Sequence, residues 1–162
     1  MALSNEELRK RLDQLGKDKL IDLLIRQHAH DPQAERIIDN AVSAKDDALK
    51  VLTDMKHYST EECKAALQKY IKTFKNRKDK VLYYFSFVES ILDQKDQLDF
   101  RFISLASASY GKAMDLLSKD KTLWDEMLDR SYEIACRFYD MGTGEAAFQA
   151  VDYYRRVKRS FD

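Results

Sequence analysis

The sequence LWDEMLDRSYEIACRFYDMGTGEAAFQAVDYYRRVKRSF, residues 123–161, contains two segments in which apolar and aromatic residues recur at helical spacing. Gly142-Thr143-Gly144 separates the two segments. Because glycine readily adopts the backbone conformations that end a helix, these residues predict a turn. We therefore expect a pair of antiparallel helices here, with the earlier helices of the chain stacked on it.

The composition favours helices throughout the chain. Charged residues make up 35% of the 162 residues and hydrophobic residues 44%, which is typical of helices with one solvated face. Four glycines and one proline are too few for a hairpin-rich β protein. We predict an all-α fold of stacked antiparallel helical hairpins, with seven to nine helices in a single domain, 1–162. Short helices occupy residues 1–58 and a hairpin array residues 59–162.

Capping signals and apolar stripes divide the N-terminal half into short helices. Ser4 with Glu7, and Ser59 with Glu62, have the spacing of a capping box. Asp31-Pro32 predicts the start of a third helix, and a fourth helix is predicted to begin at Ser43 or at Asp46-Asp47. The apolar residues expected to face inward in the second and third helices are Leu20, Ile21, Leu23, Leu24, Ile37, Ile38, Ala41 and Val42.

Two later segments indicate how the helices pack. The segment from Lys80 to Gln94 is apolar around most of its circumference, so we expect it to lie between neighbouring helices. Small residues at 106–109 allow a second helix to approach closely. In the last segment we expect Ala147, Phe148 and Val151 to face inward.

Parts of the chain resemble known helical families. Residues 134–151 resemble the tetratricopeptide pattern, although Ser131 replaces its usual Trp, Tyr154 replaces a small residue and no Pro closes the unit. The matching positions are Ile134, Ala135, Phe138, Gly142, Ala147 and Val151. The whole chain also resembles an uncharacterised bacterial family of small helical proteins, through residues 12–24 and 129–153. These resemblances imply a degenerate tetratricopeptide-like hairpin and no activity.

No motif in the sequence predicts catalysis, a cofactor or a metal. His28 and His30 are two residues apart, so on a helix they point in different directions and cannot chelate together. Cys63 and Cys136 lie among apolar residues and are expected to be buried thiols. Gly142-x-Gly144 follows a helix instead of a strand, so it is not a phosphate loop. We predict that the protein is not an enzyme.

The segment from Lys64 to Lys80 suggests nucleic-acid binding as an alternative function. It holds seven basic residues and one acidic residue, with tyrosines nearby. Lysines bind phosphates and aromatic rings stack on bases. The candidate residues are Lys64, Lys72, Lys75 and Lys78. A solvated helical face, with cations at its C-terminal end, explains the same pattern.

The leading hypothesis is a protein-interaction or scaffold module whose partner is another protein or a second copy of itself. Tyrosine and arginine are enriched at protein interfaces. The candidate contact residues are Tyr139, Tyr153, Arg155 and Arg156. The 28 basic residues balance the 28 acidic ones, so no overall charge attracts nucleic acid or anionic lipid. No 18-residue apolar run and no basic leader is present, so we expect a cytoplasmic protein without membrane contact.

Overall fold

The computed structural model describes residues 2–142 and 144–162, without the side chains of residues 40–46. Within these residues there are eight α-helices and no strand. Short 3-10 turns follow the third helix, at Met55–His57, and the fifth, at Lys95–Gln97. The α-helices are α1 (Asn5–Asp13), α2 (Lys17–His30), α3 (Pro32–Thr53), α4 (Thr60–Ile71), α5 (Arg77–Asp93), α6 (Arg101–Leu117), α7 (Lys121–Met141) and α8 (Glu145–Phe161). The predicted all-α array of seven to nine helices is confirmed.

Helix α3 is one continuous helix from Pro32 to Thr53. No separate helix begins at Ser43 or at Asp46-Asp47, because after Pro32 the stretch contains neither glycine nor proline to interrupt the backbone hydrogen bonds. The predicted inward packing of Ala41 and Val42 concerns side chains outside those described.

The chain forms two compact units, Met1–Asp46 and Asp47–Asp162. We call them the N-terminal unit and the C-terminal unit. The sequence predicts one domain whose helices change in character after residue 58, whereas the packing divides the chain within α3. Each unit is described separately below.

The core of the C-terminal unit is centred on α6, which packs against α4, α5, α7 and α8. The rings of Phe85 on α5, Tyr110 on α6 and Phe138 on α7 are fully buried. Their centroids lie 6.0 Å apart from Phe85 to Tyr110 and 5.9 Å apart from Tyr110 to Phe138. The Tyr110 hydroxyl donates a 2.9 Å hydrogen bond to the Ser131 carbonyl, so its polar end is satisfied inside the core. The organising helix is therefore α6, and not the α7–α8 pair.

Helix α6 approaches α8 closely through small residues, as predicted. The Ser107 hydroxyl donates a 2.6 Å hydrogen bond to the Ala146 carbonyl. Gly111 lies directly under the ring of Tyr153, since a Cβ at residue 111 would come within 2.6 Å of the Tyr153 Cε2 atom. Helix α5 packs against α6 and α7 and buries seven residues on one broad face, whereas Ser86 and Asp93 on its other side are exposed, so it is less enclosed than predicted.

Helices α7 and α8 form the predicted hairpin. Gly142 adopts a left-handed conformation with φ of 67° and caps α7, and Gly144 has φ of 99°. Thr143 lies outside the described residues. Along the hairpin, the Trp124 ring packs against the rings of Tyr154 and Phe161. The two helices therefore hold each other through aromatic side chains.

The described side chains of the N-terminal unit do not form an enclosed core. None of its described side chains is buried. The prediction that Ile21, Leu23 and Leu24 face inward is wrong, because each is more than 40% exposed, and Ile37 is 63% exposed. Leu20 and Ile38 are half-buried. The apolar stripes are present as predicted, but the unit supplies no second layer of helices to cover them.

Candidate interaction surfaces

The largest set of exposed apolar side chains lies in the N-terminal unit. Leu24 and Ile25 on α2 are 53% and 62% exposed. Ile21, Leu24 and His28 follow one another at helical spacing, so they share a face of α2. The exposed large apolar residues of this unit are Leu3, Leu8, Leu12, Ile21, Leu23, Leu24, Ile25 and Ile37. Exposed large apolar side chains in this number, on successive helices of one unit, indicate an interaction site.

Charges of both signs surround this apolar surface. Residues 1–46 contain eight basic and nine acidic residues. On α1, Glu6 contacts Lys10 at 3.6 Å and Glu7 contacts Arg11 at 3.0 Å. The first half of α1 carries Glu6 and Glu7, and its second half carries Arg9, Lys10 and Arg11 with a single acidic residue, Asp13, at its end. The helix therefore has a negative end and a positive end beside its two exposed leucines.

A second surface lies where α7 turns into α8. A groove of about 380 Å³ is lined there by Tyr139, Phe148 and Arg155, with Phe138 and Ala147 at its base. Tyr139 and Phe148 are 68% and 69% exposed. Arg155 forms no ion pair with any described residue. The groove thus combines two exposed rings with an unpaired cation.

Phe148 is exposed because of its position around α8. The sequence predicts that Phe148 faces inward together with Ala147 and Val151. The buried face of α8 instead follows Ala147, Ala150 and Val157, and Phe148 lies across the helix from it. Ala147 and Ala150 identify the buried face, because their small side chains allow a neighbouring helix to approach α8 closely.

The four predicted contact residues do not share one surface. Tyr139 and Arg155 line the groove beside Phe148. Tyr153 is half-buried against Gly111, and with Arg156 it lines a different cavity of about 290 Å³ between α6 and α8. Arg156 also contacts Asp152 at 2.6 Å. The prediction therefore joins residues from two sides of α8.

The basic segment is distributed over three elements. Lys64 lies within α4, Lys72 caps its C-terminal end, Lys75 follows in the turn and Lys78 lies in α5. Lys64 and Lys72 are about 12 Å apart along the helix axis. Lys78 contacts Glu126 at 3.1 Å, so its charge is compensated within the chain. Lys72 and Lys75 are exposed and are the two that remain near one another.

An aromatic cluster accompanies Lys72 and Lys75. The Tyr70 ring centroid lies 5.2 Å from that of Phe74 and 4.4 Å from that of Tyr83. All three side chains are half-buried. Burial, together with the neighbouring Tyr70 hydroxyl, raises the pKa of Tyr83 to about 12. The three rings thus pack against one another, and each side chain remains partly exposed to solvent.

The cysteines are placed largely as predicted. Cys63 is fully buried, and burial raises the pKa of its thiol to about 11, so it stays protonated at neutral pH. Cys136 is half-buried, which is less enclosed than expected. A protonated core thiol is a poor nucleophile, and Cys63 therefore has the character of a small apolar side chain.

Neither a protein-family model, nor a curated protein, nor a solved structure matches this chain. The resemblances to the tetratricopeptide pattern and to a bacterial family remain predictions. Among the helices of the described part, none has the length and apolar character required to cross a membrane. Function is therefore inferred from the chemistry of the surfaces.

Proposed function

We propose that this chain is a non-enzymatic protein-interaction module that associates with a second copy of itself through the apolar faces of α1 and α2. The observation that carries the proposal is the N-terminal unit itself. It exposes eight large apolar side chains, and within its described residues it buries none. Apolar helical stripes without a cover gain free energy when a partner covers them.

The expected strength follows from the area that remains exposed. Fully burying a Leu or Ile side chain contributes about 1.5–3 kcal/mol. Since about half of each side chain is already covered, about 1 kcal/mol remains for each. A two-fold pair that covers five from each copy gains on the order of 10 kcal/mol, against roughly 4–15 kcal/mol for the lost freedom of the two chains. Association should therefore depend strongly on concentration.

A second copy fits the charges better than a strongly charged partner does. If two copies of α1 pack antiparallel, the acidic first turn of one lies beside the basic last turn of the other. Glu6 and Glu7 of each copy then face Lys10 and Arg11 of its mate. The near balance of eight basic and nine acidic residues in this unit gives no comparable attraction for an anionic surface.

Sedimentation velocity over a dilution series tests the proposal. We expect a dimer that dissociates on dilution, and a monomer at all concentrations when Leu24→Glu places a charge in the contact. Phe148→Glu is the matched control, because Phe148 is also exposed but lies in the C-terminal unit. A wild-type chain that is monomeric throughout, or equal loss of the dimer in both variants, would contradict the proposal.

The aromatic cluster supports nucleic-acid binding as a second candidate function. Tyr70, Phe74 and Tyr83 present partly exposed rings next to Lys72 and Lys75, which is the combination that single strands bind. We expect Lys72→Glu with Lys75→Glu to weaken binding of a labelled single strand strongly and to reduce the salt dependence of the remaining binding. Lys95→Glu with Lys158→Glu makes the same change of charge elsewhere. Equal weakening in both double variants would indicate attraction by net charge alone.

A further inference from the structure

Three side chains with metal-binding atoms meet between α2 and α3. They are His28 on α2, and Glu35 and Asp39 on α3. One ligand atom from each lies within 4.8 Å of the other two. His28 Nε2 and Asp39 Oδ1 are 2.7 Å apart. An imidazole nitrogen and two carboxylate oxygens are thus close enough together for one ion to contact all three.

The local sequence explains why these residues meet. Asp31 ends α2, and its side chain accepts a hydrogen bond from the Gln33 backbone N–H as α3 begins at Pro32. The chain reverses there, which brings the last turn of α2 alongside the first turns of α3. Glu35 and Asp39 are four residues apart, so they share one face of α3. In the sequence the nearest histidine to His28 is His30, whereas in the fold His28 meets Glu35 and Asp39 of the next helix.

The cluster carries uncompensated negative charge. Two neighbouring carboxylates repel each other, and no Lys or Arg in the described part of the chain forms an ion pair with Glu35 or Asp39. Among the described side chains, the imidazole of His28 contacts Asp39. When that imidazole is neutral, the three groups together carry a charge of about −2, which a divalent cation balances.

A second His–Asp pair in the same chain provides a comparison. His57 Nδ1 lies 2.7 Å from Asp54 Oδ1, the same separation as at His28. The two residues are three positions apart in sequence, and among the described residues no third ligand completes a cluster there. His28 differs in joining two helices and in having a second carboxylate within reach.

We propose that His28, Glu35 and Asp39 bind one divalent transition-metal ion of the zinc class. Imidazole nitrogen and carboxylate oxygen are both zinc ligands, and three protein ligands leave a fourth position for water. The ion would take the place of the His28–Asp39 hydrogen bond and connect α2 to α3. Such a connection suits a unit that encloses no core, since small units depend on metals, disulfides or association for stability.

Calorimetric titration of the metal-free full-length chain with zinc chloride tests the site. We expect one ion per chain. His28→Gln, Glu35→Gln and Asp39→Asn should each weaken binding by about tenfold or more, because each removes a ligand. His57→Gln, the matched control, should bind zinc as the wild type does. Circular dichroism confirms that each variant keeps its helices.

Hydrogen exchange supplies a readout that does not depend on affinity. Zinc should slow amide exchange in residues 20–39 of the wild type and leave it unchanged in the His28→Gln variant. Three results would overturn the site: no zinc binding, equal binding by wild type and His28→Gln, or a thiolate-to-metal charge-transfer band when cobalt replaces zinc. The last result would place the ion on a cysteine. None of these outcomes depends on self-association.

Discussion

Helices α2–α3 and α7–α8 are both pairs in which the chain turns back on itself, but they are held together differently. In α7–α8 the Trp124 ring packs 5.9 Å from Tyr154 and 6.0 Å from Phe161. Between α2 and α3, the side-chain hydrogen bond found among the described residues is the one from His28 to Asp39. One pair is joined by buried aromatic surface and the other by a polar contact that remains exposed.

The difference shows what an amphipathic pattern specifies. Both pairs carry apolar residues at helical spacing, so both have a face that gains free energy when it is covered. In the C-terminal unit α6 covers the inner faces of α7 and α8. In the N-terminal unit Leu24 and Ile25 remain exposed. The pattern predicts which face needs a partner, and it does not predict whether the partner belongs to the same unit.

The largest expected effect comes from comparing the truncation of one apolar side chain in each unit. Phe138→Ala removes a fully buried ring and should lower the free energy of unfolding by about 3–5 kcal/mol. Leu24→Ala truncates an exposed side chain and should change the unfolding of the dilute chain by less than about 1 kcal/mol. Urea unfolding at low protein concentration measures both. A similar loss of unfolding free energy in both variants would mean that the face of α2 is as well covered as that of α7.

A smaller effect is expected where α6 meets α8. A Cβ at residue 111 would lie 2.6 Å from the Tyr153 ring, whereas alanine is otherwise the better helix former. The effect of Gly111→Ala on the free energy of unfolding should therefore be more favourable by about 1–3 kcal/mol in the Tyr153→Ala variant, which lacks the ring, than in the wild type. A double-mutant cycle of urea unfolding gives this coupling. Additive effects would show that the ring does not press on α6.

The smallest expected effect comes from removing one helix-capping side chain in each unit. The side chains of Ser4 and Ser59 each accept a hydrogen bond from the backbone of their helix, at 3.2 Å and 3.1 Å. Ser59→Ala should lower the free energy of unfolding of the C-terminal unit by about 1 kcal/mol. Ser4→Ala should leave that transition unchanged and reduce only helical content. If both substitutions shift the main transition equally, the units unfold together.

The features that sequence predicts here are local ones. Ser59 with Glu62 forms the predicted capping box, and Gly142 adopts the left-handed conformation expected of a helix-ending glycine. The apolar spacing of Val81, Phe85 and Val88 in α5 predicts their burial, because residues three and four apart share one face of a helix. Each of these properties depends on residues within a few positions of one another, so the sequence contains all the information required.

The features that sequence misses depend on distant residues. Ala147 and Phe148 are adjacent apolar residues, and the positions of α6 and α7 decide that Ala147 is buried while Phe148 is exposed. Tyr153 and Tyr139 likewise look equivalent in sequence, yet Gly111 receives one ring and the other remains in solvent. The cluster at His28 required the reversal at Asp31. A spacing rule applied within one helix cannot find such contacts.

The most direct test of self-association through the N-terminal unit is amide hydrogen exchange measured on the full chain at a low and a high protein concentration. If α1 and α2 are covered by a second copy, the protection of their amides should rise with concentration, while the amides of α6 stay equally protected. Protection of α1 and α2 that does not change with concentration would contradict the proposed contact between copies.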